Sequence, residues 1–227
     1  MQGGSVYYQA APGEQVLQSL PLIIFDFDGT IADSMGLCVE ELIQTYQTLG
    51  LPVPQRSILE KCNGPSHEEA AVLLGLPEEL QGQFCRIRGE MQMNILPLWQ
   101  RAFPGIPQML SALSERAYLA IASNGRPEYI KQSLGILNMA QNFTYVMGQI
   151  PGQNKEVLVR QIMDRAGPCR AMMVGDKMGD ILAGRENGLY TVAACYGYGS
   201  EEEWAEADRK AATVDELYRI CLDFCRG

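Results

Sequence analysis

The stretch IIFDFDGTIADS, residues 23–34, begins as an apolar run and then carries two aspartates, Asp26 and Asp28, followed by Gly29. A short, continuously apolar run of this kind is typical of a buried β-strand. Two carboxylates so close together repel each other unless a cation or a proton compensates their charge. The stretch therefore predicts a strand whose end carries a compensated acidic site.

Similar strand-like runs recur along the chain, and amphipathic helical patterns lie between them. The further strand-like runs are at 117–122, 143–147, 171–174 and 190–196. The helical patterns are at 106–116, 127–137, 155–167 and 180–188. Strands that alternate with helices of this length predict an α/β fold with a Rossmann-like parallel sheet as its core. The polar clusters SNG and GDKMGD follow two of the runs, so they are expected at the same sheet edge as the aspartates.

The alternation is interrupted once, because residues 35–97 contain helical patterns and no convincing strand. This interruption predicts a helical domain inserted into the α/β core, which comprises residues 21–34 and 98–227. Residues 1–20 form an N-terminal extension for which the sequence does not decide between a tail and a short edge element. The acidic run at 200–208 is expected to be the solvated face of a helix.

Composition excludes several classes of function. The net charge of −9 and the pI near 4.7 argue against binding to a nucleic-acid backbone, which requires a basic face. No apolar run approaches the roughly 18 residues that a membrane-spanning helix needs. The seven cysteines are odd in number and scattered, which disfavours a disulfide framework. Without a recognisable signal peptide, the protein is expected to be cytoplasmic, with neither nucleic acid nor membrane as a partner.

Oxygen-rich strand ends suit a magnesium site. Mg²⁺ prefers oxygen ligands, and Asp26, Asp176 and a backbone carbonyl near Asp28 are candidates to supply them. A carboxylate can also attack phosphorus, which requires an acid, a base and donors for the phosphoryl oxygens. The sequence therefore suggests a site that binds a metal ion and a phosphate group.

Each of the remaining roles has a candidate. Asp28 is suited to act as acid and base, and the donors would be Ser123, the backbone N–H of Asn124, and Lys155. Lys155 stands at a predicted helix start, where the helix dipole favours an anion. Two other lysines remain alternatives for this role, Lys131 and Lys177.

With these residues in order, the chain resembles the haloacid dehalogenase superfamily of hydrolases, and within it phosphatases similar to phosphoglycolate phosphatase. The resemblance extends from residue 21 to about 215. DFDGT resembles the family's first motif, which implies Asp26 as nucleophile and Asp28 as general acid and base. SNG resembles the second motif, which implies Ser123 as a phosphate ligand, and Lys155 matches the third.

GDKMGD resembles the fourth motif, which implies Asp176 as a metal ligand. The resemblance gives Asp180 a supporting role beside Lys155 or the metal, although Asp180 could instead cap the following helix. Thr30 and Gly125 are expected to support the first and second motifs. Ser123 and its neighbours could also form a simple turn.

The helical insertion resembles the family's cap domain, which closes over small substrates and carries specificity. The loop KCNGPSH resembles the cap specificity loop in position, so Asn63, Gly64 and His67 are candidates for contact with the substrate. A lone histidine near a helix start can also be a surface residue, and His67 has this alternative.

The resemblance implies a Mg²⁺-dependent phosphatase that hydrolyses a small phosphorylated metabolite through a phospho-aspartyl intermediate on Asp26. Retention of Asp28 favours phosphoryl transfer, because dehalogenases of this fold lack the second acid. Alternatives are a sugar phosphomutase similar to β-phosphoglucomutase, a pyrophosphatase, and a non-catalytic phosphate-binding protein. The cap loop contains Lys61 but no arginine, which disfavours a mutase. The physiological phosphomonoester and the oligomeric state do not follow from the sequence.

Overall fold

A computed structural model describes residues 7–8, 20–167 and 169–227, with only the backbone described at 7–8. The strands in these ranges are β1 (Tyr7–Tyr8), β2 (Leu22–Phe25), β3 (Tyr118–Ala122), β4 (Tyr145–Met147), β5 (Ala171–Gly175), β6 (Tyr190–Ala194) and β7 (Arg209–Ala211). The α-helices are α1 (Met35–Leu49), α2 (Arg56–Leu59), α3 (His67–Leu73), α4 (Glu78–Trp99), α5 (Ile106–Leu113), α6 (Pro127–Ile136), α7 (Lys155–Ala166), α8 (Met178–Glu186) and α9 (Val214–Arg226). Short 3₁₀ helices lie at Glu60–Cys62 and Ala140–Asn142.

The strands form one sheet in the order β1-β4-β3-β2-β5-β6-β7. β1 pairs with β4 in the antiparallel sense, and each of the other pairs is parallel. The predicted strand β2 lies in the centre, with Ile23 opposite Leu119 of β3 and Met172 of β5. The predicted α/β fold with a parallel sheet is therefore confirmed.

Alternate residues of β2 face opposite sides of the sheet, and both sides are covered by helices. Ile23 and Phe25 pack in one apolar cluster with residues of α5 and α9. Leu22 and Ile24 pack in another cluster with residues of α7 and α8. All four side chains are 0% exposed, which explains why the run is apolar without alternation.

The four helices α1 to α4 follow β2 directly and have an apolar cluster of their own. Leu42 and Tyr46 of α1, Leu59 of α2 and Phe84 of α4 are among its buried members. All residues from 35 to 99 are described and none belongs to a strand, so the helical patterns predicted there are confirmed. α4 contains Pro97 and ends at Trp99, just after the predicted boundary. The division into a core and an inserted domain stays a prediction that this separate cluster supports.

The prediction of a helix at 200–208 is wrong, because this segment consists mainly of turns. Trp204 is buried, and its indole Nε1 donates a hydrogen bond to the backbone oxygen of Asp176 at 2.7 Å. The turns lead directly into β7, a three-residue strand beside β6 that the sequence did not predict. Its first residues are the exposed Arg209 and Lys210, which give no strand-like apolar pattern.

β1 is an edge strand of the sheet and lies in the N-terminal extension, where the sequence left a tail and a short edge element as alternatives. Tyr7 and Tyr8 pair with Val146 and Tyr145 of β4. The rest of the extension, through residue 19, lies outside the described residues.

None of the helices in the described ranges has a stretch that is both long and apolar enough to cross a membrane. α4 is the longest at 22 residues, but it carries charges along its length, such as Arg86, Arg88 and Glu90.

The apolar cluster of α1 to α4 makes a stability prediction at Phe84, whose ring contacts that of Tyr46 edge to face with a centroid separation of 6.2 Å. Phe84→Ala should lower the free energy of unfolding by about 3–5 kcal/mol, because it leaves a cavity in a packed cluster. Val72→Ala is the control, since Val72 lies on α3 and is 66% exposed, and a surface change of this kind shifts stability by about 0.5 kcal/mol or less. Urea unfolding of both variants measures the difference; equal effects would contradict a packed cluster around Phe84.

Candidate active site

The polar residues after three parallel strands meet at the carboxyl edge of the sheet. Asp26 follows β2, Ser123 follows β3 and Asp176 is the first residue after β5. The Asp26 backbone N–H donates to Val174 O at 2.8 Å and the Ser123 N–H donates to Met147 O at 3.0 Å, so both residues extend their strands by one position. This placement matches the edge expected from the sequence.

Lys155 is the candidate lysine that contacts the first aspartate. It is the first residue of α7, and Asn154 before it caps the helix by accepting a hydrogen bond from the Val157 N–H at 3.3 Å. The Lys155 ammonium donates to Asp26 Oδ1 at 2.7 Å and to Asp180 Oδ1 at 2.5 Å.

The two alternative lysines lie elsewhere. Lys177 donates to the backbone oxygen of Tyr198 at 2.8 Å, and Lys131 is an exposed residue of α6. The geometry therefore favours Lys155 over both.

Three buried carboxylates lie together at this edge, and the ammonium group contacts two of them. Carboxylate oxygens of Asp26, Asp176 and Asp180 lie within 4.8 Å of one another, and each of the three residues is at most 5% exposed. One carboxylate oxygen of Asp176, Oδ2, accepts a hydrogen bond from the Tyr198 backbone N–H at 2.8 Å. The other, Oδ1, is buried without a hydrogen-bond partner among the described residues. Hard oxygen ligands with an unsatisfied carboxylate oxygen fit a divalent cation such as Mg²⁺.

Electrostatics explain why this cluster needs positive charge. Burial, with repulsion from Asp180, raises the pKa of Asp26 well above its usual range, and Lys155 opposes that rise. The same two causes raise the pKa of Asp176 to about 7. Burial alone would lower the pKa of Lys155, but Asp180 and Asp26 reverse this and raise it. One ammonium group faces three carboxylates, so the cluster favours the binding of a further cation.

Asp180 makes both of the contacts that the sequence left open. It lies in the first turn of α8, where its Oδ2 accepts a hydrogen bond from the Lys177 backbone N–H at 2.9 Å. Its Oδ1 accepts from Lys155. The residue therefore holds the start of α8 and orients the lysine at the same time.

Asp28 faces away from this cluster toward the helical insertion. Its Oδ1 accepts a hydrogen bond from the Tyr129 hydroxyl at 2.6 Å. Burial raises the pKa of Asp28, and the hydrogen bond from Tyr129 offsets part of that rise. A raised pKa suits a carboxyl group that gives and takes protons near neutral pH. Tyr129 was not predicted as a site residue, although it lies in the first turn of α6 a few residues after the SNG cluster.

The SNG cluster forms the turn that the sequence allowed, at the edge where it was expected. The Gly125 backbone N–H donates to Ser123 Oγ at 3.0 Å, which leaves the hydroxyl hydrogen of Ser123 available. Asn124 and Gly125 line the same cavity as Asp28.

Thr30 is buried, and its backbone oxygen accepts a hydrogen bond from the Tyr196 hydroxyl at 2.9 Å. Its own hydroxyl makes no hydrogen bond within the described ranges.

All three candidates from the helical insertion line this cavity, whose volume is about 40 Å³. Asn63 donates through Nδ2 to Ser34 Oγ at 3.1 Å, and Gly64 adjoins it. His67 is only 7% exposed, so the alternative of a surface histidine is wrong. Burial, followed by the charges of Arg88 and Arg126, lowers the pKa of His67 to about 3, so its imidazole is neutral near pH 7.

Arg88 and Glu41 line the cavity and were not predicted, because they form a pair between two helices that are far apart in sequence. Arg88 of α4 donates through Nε to Glu41 Oε1 of α1 at 2.8 Å, and both side chains are at most 4% exposed. Gln92, one turn further along α4, lines the same cavity. A buried ion pair between residues 47 positions apart has no local sequence signal, although both residues stand on the apolar faces of helical patterns.

The sheet edge thus combines a buried carboxylate cluster with a cavity under the helical insertion, and comparison with known proteins identifies the family. The haloacid dehalogenase-like hydrolase family matches residues 23–194. This span exceeds half of the chain, and it includes the first and last motifs. The chain belongs to the haloacid dehalogenase-like hydrolase family, as the resemblance predicted.

Individual relatives have different activities. The tyrosine-protein kinase PtkA of Mycobacterium tuberculosis is 28% identical, with 92% of this chain and 73% of the relative covered. A phosphoglycolate phosphatase of Aquifex aeolicus is also 28% identical, over 78% of this chain and 85% of the relative. The crystal structure of a predicted phosphatase from Clostridium acetobutylicum has the same fold, with a TM-score of 0.82 and 24% identity over 91% of this chain and 100% of that one.

Gly29 provides a test of the site's close packing. It has φ +85°, and a Cβ atom added there would collide with the Asp176 carboxylate. Gly29→Ala should destabilise the protein more than Gly152→Ala, which has φ +76° but nothing within 4 Å of the added atom. Backbone strain of roughly 1–2 kcal/mol is common to both variants, and overpacking should add about 1–3 kcal/mol at Gly29. Urea unfolding measures both, and an equal loss would mean that the Asp176 carboxylate is not held against Gly29.

Proposed function

We propose that the protein is a Mg²⁺-dependent phosphatase that hydrolyses a small phosphomonoester through a phospho-aspartyl intermediate on Asp26. The observation that carries the proposal is the division between the two aspartates of one loop. Asp26 lies in the carboxylate cluster beside Lys155, whereas Asp28 faces the cavity under the helical insertion with Tyr129 as its partner. A nucleophile and a proton donor thus have separate environments two residues apart.

In the first step, an oxygen of the Asp26 carboxylate attacks phosphorus and forms a bond to it. The ester bond between phosphorus and the leaving oxygen breaks, and Asp28 gives its proton to that oxygen. Lys155 holds the Asp26 carboxylate through a 2.7 Å hydrogen bond and so fixes the attacking group. The raised pKa of Asp28, caused mainly by burial, keeps a proton available for the leaving oxygen.

In the second step, water attacks the phosphorus of the phospho-aspartate. Asp28 takes a proton from that water, the bond between phosphorus and the Asp26 oxygen breaks, and inorganic phosphate leaves. The Ser123 hydroxyl, the Asn124 backbone N–H and the Lys155 ammonium are proposed as donors to the phosphoryl oxygens. Gly125 supports Ser123 through its 3.0 Å hydrogen bond, and Asp180 supports Lys155.

The proposed metal ligands are Asp26, Asp176 and the backbone carbonyl of Asp28. The unsatisfied Oδ1 of Asp176 and the cluster's excess negative charge support this set. Bound Mg²⁺ would supply positive charge that offsets repulsion between the carboxylates and the phosphoryl group.

Cytoplasmic location stays a prediction from the sequence.

The cap role of α1 to α4 is part of the proposal. Its support is the cavity shared between Asp28 and residues of the helical insertion, which include Asn63, Gly64 and His67. The insertion also meets the core at a second contact, where Gln149 Nε2 donates to Glu68 Oε2 at 3.3 Å. Specificity for the leaving group would then come from the cap.

The mutase alternative requires a cation in the cap that is free to hold a second phosphate. Arg88 lies in the cavity, but its charge is offset by an ion pair with Glu41 at 2.8 Å, so it is poorly suited to hold a second phosphate dianion. This pairing favours hydrolysis over mutase activity. PtkA, to which the chain is similar, is a tyrosine-protein kinase. This likeness adds a protein tyrosine, in place of water, as a second candidate acceptor of the phosphoryl group.

A phosphate-release panel with and without Mg²⁺, and with EDTA, tests the proposal. The panel contains phosphoglycolate, a nucleoside monophosphate, a sugar phosphate and pyrophosphate. Release should require Mg²⁺, and Asp26→Asn should lower kcat by at least about 10³-fold, because the nucleophile is lost. Asp164→Asn is the control, since Asp164 is exposed on α7, and it should keep full activity.

Three results would count against the proposal. Full turnover by Asp26→Asn would refute the nucleophile, and no release from any substrate would favour a binding protein. Isomerisation of a sugar phosphate, or transfer of radioactive phosphate to tyrosine in a protein, would replace hydrolysis with another phosphoryl transfer.

A further inference from the structure

The cavity beyond Asp28 has a wall whose chemistry indicates what kind of leaving group it accepts. Asp28 lines this cavity and Asp26 does not, so the space lies on the side where the leaving oxygen would depart. Its opposite wall is formed by Glu41 of α1, Arg88 of α4 and Asn63 from the loop before α3. This inference rests on the proposed phosphatase function.

Buried polar atoms in this wall have no partners. Glu41 Oε2, Arg88 Nη1 and Asn63 Oδ1 each make no hydrogen bond within the described part of the chain. The three residues are between 1% and 6% exposed, so solvent does not satisfy these atoms. Unpaired buried polar groups cost free energy, and three around one small cavity indicate a site for a polar ligand.

The rest of the Arg88 guanidinium is fully occupied. Its Nε donates to Glu41 Oε1 at 2.8 Å, and its Nη2 donates to the Cys62 backbone oxygen at 3.3 Å. Nη1 is therefore the group left to serve a ligand, as a donor. Glu41 Oε2 and Asn63 Oδ1 are left to serve as acceptors.

Hydrogen-bonding capacity decides which terminal group of the leaving group matches this wall. A carboxylate could accept from Arg88 Nη1, but it has no proton to give to the unpaired acceptor oxygens, Asn63 Oδ1 and Glu41 Oε2. A hydroxyl group both accepts and donates, so it matches an unpaired donor beside unpaired acceptors. His67 is neutral, and the other charged residues of the lining, Arg126 and Asp28, are one of each sign.

Cavity size limits the ligand as well. A volume of about 40 Å³ has room for roughly three water-sized groups. A two- or three-carbon chain fits this space.

We propose that the Glu41–Arg88 pair, with Asn63, selects phosphomonoesters whose leaving group is a short hydroxylated carbon chain and discriminates against chains of the same length that end in a carboxylate. The matched substrates are 2-hydroxyethyl phosphate, ethyl phosphate and phosphoglycolate, which share two carbons and differ in the terminal group. We expect kcat/KM for 2-hydroxyethyl phosphate to exceed that for phosphoglycolate by about tenfold or more.

Glu41→Gln tests the acceptor directly. The amide removes the negative charge and leaves Arg88 uncompensated, so the ratio of the two kcat/KM values should shift toward phosphoglycolate by about tenfold or more. Glu40→Gln is the matched control on the same helix, where Glu40 accepts from Gln44 at 2.8 Å outside the cavity lining, and it should leave the ratio unchanged.

A double variant guards against misfolding, because loss of one partner of a buried pair can prevent folding. Glu41→Leu combined with Arg88→Met removes both charges together. It should retain turnover of ethyl phosphate and reduce the preference for 2-hydroxyethyl phosphate over ethyl phosphate to near parity. Circular dichroism establishes that each variant is folded before its rates are compared.

The outcomes separate this inference from the proposed function. One outcome would overturn the selectivity and leave the phosphatase intact. In it, ethyl phosphate is hydrolysed, and the preferences for 2-hydroxyethyl phosphate over the other two substrates are the same in the wild type, Glu41→Gln and the double variant. A wild-type preference for phosphoglycolate would overturn the selectivity as well. No release from any of the three substrates, by folded protein with Mg²⁺, would overturn both.

Discussion

The arrangement of the site depends on charge compensation among buried carboxylates. Asp26, Asp176 and Asp180 come from two strand ends and one helix start, and a single ammonium group, that of Lys155, bridges two of them at 2.7 and 2.5 Å. The third, Asp176, is held by the Tyr198 backbone N–H and by the close approach of Gly29. Because burial strengthens repulsion between like charges, the cluster favours a further cation or a bound proton, and the pKa of Asp176 is raised to about 7.

The same loop joins the charged cluster to the helical insertion. Asp28 lies two residues after Asp26 and pairs with Tyr129, while Asp33 accepts a hydrogen bond from the Tyr198 hydroxyl at 2.6 Å just before α1 begins. Tyr198 therefore contacts both the Asp176 carboxylate, through its backbone, and the chain segment leading into the insertion, through its side chain. The carboxylate cluster and the start of the insertion are thus connected through Tyr198.

Sequence predicted the parts of the molecule that local pattern determines. Asp26, Ser123 and Asp176 each follow an apolar run, and parallel strand ends share an edge, so their meeting could be foreseen. The Glu41–Arg88 pair could not, because α1 and α4 are brought together by packing between distant residues. The segment around Trp204 was predicted wrongly for the same reason, a contact between distant residues. Its acidic residues suggested a solvated helix, whereas the Trp204 indole donates a hydrogen bond to the Asp176 backbone.

Thermal unfolding in the presence of Mg²⁺ tests the charge account most directly. Without Mg²⁺, Asp176→Asn should unfold at a higher temperature than the wild type, because one buried like charge is gone. Saturating Mg²⁺ should raise the wild-type midpoint by about 5 °C or more through binding to the folded state, and should leave Asp176→Asn nearly unchanged. An equal shift in both proteins, or no shift in the wild type beyond that from NaCl of equal ionic strength, would contradict a cation site built on Asp176.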